Sequence, residues 1–159
     1  MTRPDTSRGS EWHWLWEAYV VGVLGAAMIA VTLLQNRFGG HVLPAVAALA
    51  AIAAGVLLVG SRLLRREAST WQLGAFIAVT VALWVLALLA SPVAVVAVPV
   101  LYPLIFAGLP LRPALVVTTA VSLIPLTLTL LVDTRSANLT LAVAITLIGV
   151  VTAPIIGTV

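Results

Sequence analysis

The sequence predicts an all-α fold: a polytopic membrane bundle of about six transmembrane helices, with both termini on the cytoplasmic side. Composition is the first reason. Of the 159 residues 62% are hydrophobic and 8% charged, against about 45–50% and about 25% in a soluble domain. A mean hydropathy of +1.20 cannot be hidden in one small core, because a soluble domain of this length still exposes much of its surface. Pattern is the second reason. The apolar runs are continuous over about 20 residues, the length of a membrane helix, and do not alternate over about 10 as barrel strands do. Only helices and closed barrels satisfy backbone polar groups in lipid. The third reason is the distribution of arginine, which fixes the orientation below.

The chain divides into a tail, residues 1–13, and a transmembrane region, residues 14–159. The tail is rich in Pro, Ser, Thr, Gly and Arg and is expected to be disordered. Span one runs over about 14–34 and ends at Gln35-Asn36-Arg37. It is longer than a signal-peptide apolar region and lacks a small-residue cleavage site, so it reads as an uncleaved span. Gln35 to His41, with Gly39-Gly40, is a polar turn. Span two covers 42–61, and the connection Arg62–Thr70 carries three arginines. Span three, 71–90, stops at Ser91-Pro92, because a residue before proline is pushed out of helical geometry. Segment 92–109 holds Pro92, Pro99 and Pro103 and is read as either a kinked fourth span or a re-entrant piece. Pro110–Pro113 is a short connection, span five covers 114–132, and Asp133–Asn138 is a polar turn before span six, 139–159.

Orientation follows from the eight arginines, there being no lysine. With six crossings, Arg3, Arg8, Arg62, Arg65, Arg66 and Arg112 fall on one side and Arg37 and Arg135 on the other. Six against two under the positive-inside rule puts the first group in the cytoplasm. If 92–109 does not cross, Arg112 and the C-terminus move outside. The same arginines are single or in one cluster and form no basic stripe interleaved with aromatics, so no nucleic-acid partner is expected. The absence of cysteine excludes a disulfide framework, a thiolate metal site and a cysteine nucleophile.

Few residues invite a chemical role. Trp12, Trp14, Trp16 and Tyr19 surround His13 and Glu17 at the start of span one. They could cage a cation, but aromatic rings at that depth, with Trp71 at the start of span three, read first as interfacial anchors. Glu17 is the one acid close to an apolar run and the possible polar site. An intramembrane Glu suggests proton or cation coupling, whereas a position one turn inside the interface lets the carboxylate reach water. His13 and His41 lie at opposite ends of span one and cannot share a metal; no cofactor, metal site or catalytic residue is expected. Small residues recur every four positions: Ala47, Ala51, Gly55; Gly74, Ala78, Ala82; and Gly149, Ala153, Gly157 with Pro154. Such stripes let helix backbones approach. Each stripe reads first as internal packing, a homodimer face being the alternative, and the last is also a candidate route for signal transmission. Thr118, Thr119, Ser122, Thr127 and Thr129 flank Pro125 and are expected to re-satisfy the backbone at its kink, a hydroxyl-lined pocket being the alternative.

The stretch Leu101-Tyr-Pro-Leu-Ile-Phe-Ala-Gly-Leu-Pro-Leu-Arg112 resembles the Tyr-Pro…Phe…Leu-Pro-Arg stretch in the membrane regions of many actinobacterial two-component sensor histidine kinases, with Tyr102, Pro103, Phe106, Pro110 and Arg112 carrying the likeness. The Trp-rich start, the arginine cluster after span two and the single arginine after span four fit the same plan. The resemblance implies a sensory and anchoring domain in a bacterial plasma membrane, with the lipid bilayer as its surroundings. It further implies homodimerisation through the parent protein, and a response regulator engaged by kinase domains beyond Val159. Neither His13 nor His41 has the context of a phosphoacceptor, and no ATP-lid or metal-binding Asn motif occurs, so these residues alone are expected to have no kinase activity. Span six has no Arg, Trp or Tyr anchor before the last residue, which reads as the front part of a longer protein or a degenerate gene product, a tolerated bare apolar end being the alternative. The other reading is a small membrane transporter, or a membrane subunit of a transport complex, coupled through Glu17.

Overall fold

The computed structural model describes residues 7–38, 40–60, 62–63 and 69–132, together with Val143, Ala144 and Leu147. Every regular element among them is helical: α1 (Ser7–Phe38), α2 (Val42–Gly55) continuing into a π-helical turn (Val56–Gly60), α3 (Thr70–Ala90), a 3-10 stretch (Pro92–Ala97) leading into α4 (Val98–Gly108), and α5 (Leu111–Val132). Four helical stretches are long and apolar enough to cross a membrane: Leu15–Leu34, Val42–Gly60, Thr70–Ala90 and Leu111–Leu131. Spans one, two, three and five of the sequence reading are these. Of the sixth, only Val143, Ala144 and Leu147 are described, as helical; Gly149, Ala153, Pro154 and Gly157 lie outside the described residues.

Element boundaries follow local chemistry. Helix α1 covers Ser7–Phe38, so residues 7–13 of the stretch expected to be a disordered tail are helical. It runs on to Phe38, past the expected end at Leu34, with Arg37 in its last turn where a cation suits the helix dipole. Helix α3 opens with a capping box. Ser69 Oγ accepts from the Gln72 backbone N–H at 3.4 Å, and the Ser69 N–H donates to Gln72 Oε1 at 3.2 Å. Helix α5 begins three residues before the expected Ala114. Pro113 falls in its first turn, where no intrahelical donor is needed, and the Ala114 N–H bonds the Pro110 carbonyl at 2.9 Å.

The turn between α1 and α2 is tied to the far end of α3. The His41 N–H donates to the Ala90 carbonyl at 2.7 Å. Gly40 makes this closure possible: its φ is +108°, and a Cβ there would lie 2.5 Å from the Ala90 oxygen. Helices α2 and α3 then run antiparallel, so that a Cβ on Gly60 would meet the Phe76 ring at 3.2 Å.

Segment Pro92–Gly108 turns back along α3. The Trp84 Nε1–H of α3 donates to the Ala94 carbonyl at 3.1 Å, and at the other end a Cβ on Gly108 would lie 2.7 Å from Ile77 Cδ1 and 3.8 Å from Leu73 Cβ. Six residues of 3-10 helix at about 2.0 Å and eleven of α-helix at about 1.5 Å reach about 28 Å, close to the roughly 30 Å of a hydrocarbon core. The segment returns nearly the whole length of α3. Arg62 and Arg112 therefore stand at one end of the bundle, and Arg37 and His41 at the other.

Candidate functional site

The centre of the bundle is its least regular segment. Four of the six residues of the 3-10 stretch and seven of the eleven of α4 are buried, whereas only 22–28% of the most apolar windows of the four long spans is. Those spans turn large apolar side chains outward, as at Leu43 (82% exposed) and Leu33 (73%), an amount of bare apolar surface that marks a lipid-facing exterior. Irregular backbone is tolerated at membrane depth when protein surrounds it. Segment 92–108 is placed accordingly, against α1, α3 and α5.

Proline sets the local geometry. Pro99 has no N–H for the carbonyl of Val95 four residues back; that carbonyl accepts instead from the Val98 N–H in a 3-10 bond. Pro103 leaves the Pro99 carbonyl without its helical donor, and its ring pushes that carbonyl away from the axis. The Tyr19 hydroxyl of α1 donates to it at 2.9 Å. On the α5 side, the Tyr102 hydroxyl lies 2.8 Å from Ser122 Oγ, which donates to the Thr118 carbonyl at 2.8 Å; the Tyr102 hydroxyl is therefore the donor to Ser122. Side chains of α1, α3 and α5 thus each make a hydrogen bond with this one segment.

The residues that carry the family likeness divide between core and end. Tyr102 is buried, Pro103 lies inside α4, and Phe106 is half-buried against the core. Pro110 and Arg112 are exposed at the end of the bundle, where the Pro110 carbonyl caps α5. Two of the expected anchors have described side chains, Trp16 and Trp71. Trp71 does stand out, 80% exposed. Trp16 is half-buried and stacked on Tyr19, with ring centroids 5.8 Å apart and planes at 29°. The two rings use their faces on each other rather than on a cation between them. Tyr19 spends its hydroxyl on Pro99. Trp12, His13 and Trp14 lie in α1, with side chains outside the described set. Glu17 is half-buried.

Two expectations are corrected. The stripes Ala47, Ala51, Gly55 and Gly74, Ala78, Ala82 do not pack the interior of the described bundle. Ala47, Ala51, Ala78 and Ala82 are exposed, and α2 buries Ala45, Leu49, Ile52 and Val56 instead. Four-residue spacing marks one face of a helix without saying which face is inward. Around Pro125 the carbonyl freed by the ring is that of Val121, but Ser122, Thr127 and Thr129 bond the carbonyls of Thr118, Leu123 and Pro125, each four residues back. These are ordinary hydroxyl back-bonds in a helix. Thr119 lies instead with Leu115, Val116, Ala120 and Leu123 along a shallow open groove on the outer side of α5.

Among the described residues no cluster of three or more His, Asp or Glu could hold a metal. The buried polar side chains are Thr80, Ser91, Thr118, Ser122 and Thr129, hydroxyls without a nucleophile–base pair. Sequence reasoning missed the Trp84 and Tyr19 bonds to the broken segment. The signal was available in the prolines, since each removes a known donor, but the partner depends on which helices become neighbours.

Fold and centre together define an all-helical protein of membrane type, with a proline-broken segment enclosed by longer helices. No protein-family model, no curated protein and no solved structure matches the chain.

Proposed function

We propose that the chain is a six-span bacterial plasma-membrane domain, N-terminus and C-terminus inside, that serves as the sensory and anchoring part of a two-component histidine kinase. The observation that carries this reading is the likeness of Leu101–Arg112 to the membrane regions of actinobacterial sensor kinases. Two further features support it. The segment bearing that likeness is enclosed by three helices, and its length of about 28 Å is close to that of a crossing, in keeping with an even number of spans. Among the described residues no Asp, Glu, Lys, Arg or His is buried, which leaves a coupled transporter without the interior ionisable group it needs.

In this reading a lipid, an envelope stress or a small apolar ligand shifts the domain between two packings by binding them unequally. Gly149, Ala153, Pro154 and Gly157 of span six relay the change to a cytoplasmic dimer, and kinase domains that act on a response regulator supply the chemistry. The test is the reading frame beyond Val159. A phosphoacceptor-histidine helix pair followed by an ATP-binding domain is expected; a stop codon or a domain of another class overturns the proposal. Glu17→Gln provides a functional check: signalling is retained if the domain is a sensor, whereas a transport activity that collapses in this variant contradicts it.

A further inference from the structure

The broken segment carries a conformational device that is independent of the output of the domain. Pro103 deprives the Pro99 carbonyl of its α-helical donor, and the ring turns that carbonyl outward. The group that meets it, Tyr19 Oη at 2.9 Å, belongs to α1, eighty residues earlier in the chain. Tyr19 is itself 39% exposed and held from one side by stacking on Trp16, so the phenol has room to swing outward when α1 moves.

We propose that Tyr19 is a latch on the proline bend: its hydroxyl stands in for the amide that Pro103 lacks, and so makes the bent form of segment 92–108 conditional on the position of α1. With the latch closed, α1 and α4 move together. When α1 shifts or rotates by more than a hydrogen bond tolerates, the Pro99 carbonyl loses its partner and the segment re-bends at Val98–Pro103 to recover one. The other two bonds to the segment, Trp84 to Ala94 and Tyr102 to Ser122, lie on either side of Pro99. They hold its two halves to α3 and α5 while the joint between them changes angle.

Rescue by substitution tests the idea, because Pro103→Ala restores the backbone donor that Tyr19 replaces. The chain has no cysteine, so spin labels placed through Leu33→Cys on α1 and Ala107→Cys on α4, both exposed positions, report the α1–α4 distance in the full chain in lipid nanodiscs. Tyr19→Phe is expected to broaden the distance distribution or split it into two populations when Pro103 is present, and to leave it unchanged in the Pro103→Ala background. If Tyr19→Phe prevents folding, the latch predicts recovery of folded protein on adding Pro103→Ala. An effect of equal size in both backgrounds, a failure to fold in both, or no effect in either overturns the proposal.

Discussion

Gly40, in the turn before α2, and Gly108, at the end of α4, both sit close against α3, yet the cost of a methyl group differs sharply between them. At Gly40 the obstacle is the Ala90 carbonyl oxygen, 2.5 Å from a built Cβ, and φ is +108°. Neither backbone can move without breaking the His41–Ala90 bond. Gly40→Ala is therefore expected to lower stability by about 1–3 kcal/mol, read as a lower unfolding midpoint in detergent. At Gly108 the obstacle is Ile77 Cδ1, the far end of a flexible side chain. A rotamer change of about 0.5–1.5 kcal/mol relieves it, so Gly108→Ala should cost no more than that and should lose its cost when combined with Ile77→Val. The Tyr102–Ser122–Thr118 relay gives a second ordered pair. Tyr102→Phe removes one donor and leaves Ser122 bonded to the Thr118 carbonyl, a loss of about 0.6 kcal/mol by the measured average for bonds within membrane proteins. Ser122→Ala instead leaves the buried Tyr102 phenol without its acceptor and should cost more, towards about 1–3 kcal/mol. Equal losses for the two variants would mean that the phenol has a second partner.

The helices differ in how far the sequence announces them. Spans one, two, three and five were legible because 20 apolar residues between polar turns admit one structure in lipid. The sequence reading began span three at Trp71, one residue after the observed start; Ser69 and Gln72, a capping-box spacing, fix that start in the structure. Residues 7–13 are helical although no apolar run announces a helix there. Segment 92–108 could not be classified from its prolines alone, since a proline-rich apolar stretch suits a re-entrant piece as well as a span. What resolves its path is Trp84, an apparently ordinary span residue whose indole N–H reaches Ala94. Trp84→Phe keeps most of the buried ring but leaves the Ala94 carbonyl without this donor. We expect a loss of about 1–3 kcal/mol and faster hydrogen exchange confined to 92–97, measured by mass spectrometry of the protein in detergent. Protection unchanged in that segment would mean that Trp84 acts through packing only.

The fold as a whole turns on whether segment 92–108 carries the chain from one face of the bilayer to the other. If it does, the return of the segment along α3 and the enclosure of its broken backbone have one cause. If it does not, Arg112 moves outside and Arg135 inside, so the arginine count stays the same while the C-terminal half of the chain is inverted. The candidate site was half legible at this level: Tyr102, Pro103 and Phe106 stood out as a motif, but their companions Tyr19, Trp84 and Ser122 come from helices whose adjacency no local pattern encodes. The most direct measurement uses the absence of native cysteine. His41→Cys and Leu111→Cys, each alone, are probed in intact cells with a membrane-impermeant maleimide, before and after permeabilisation of the inner membrane. The account predicts that His41→Cys reacts in intact cells and that Leu111→Cys reacts only after permeabilisation. Reaction of both positions from the same side would contradict it.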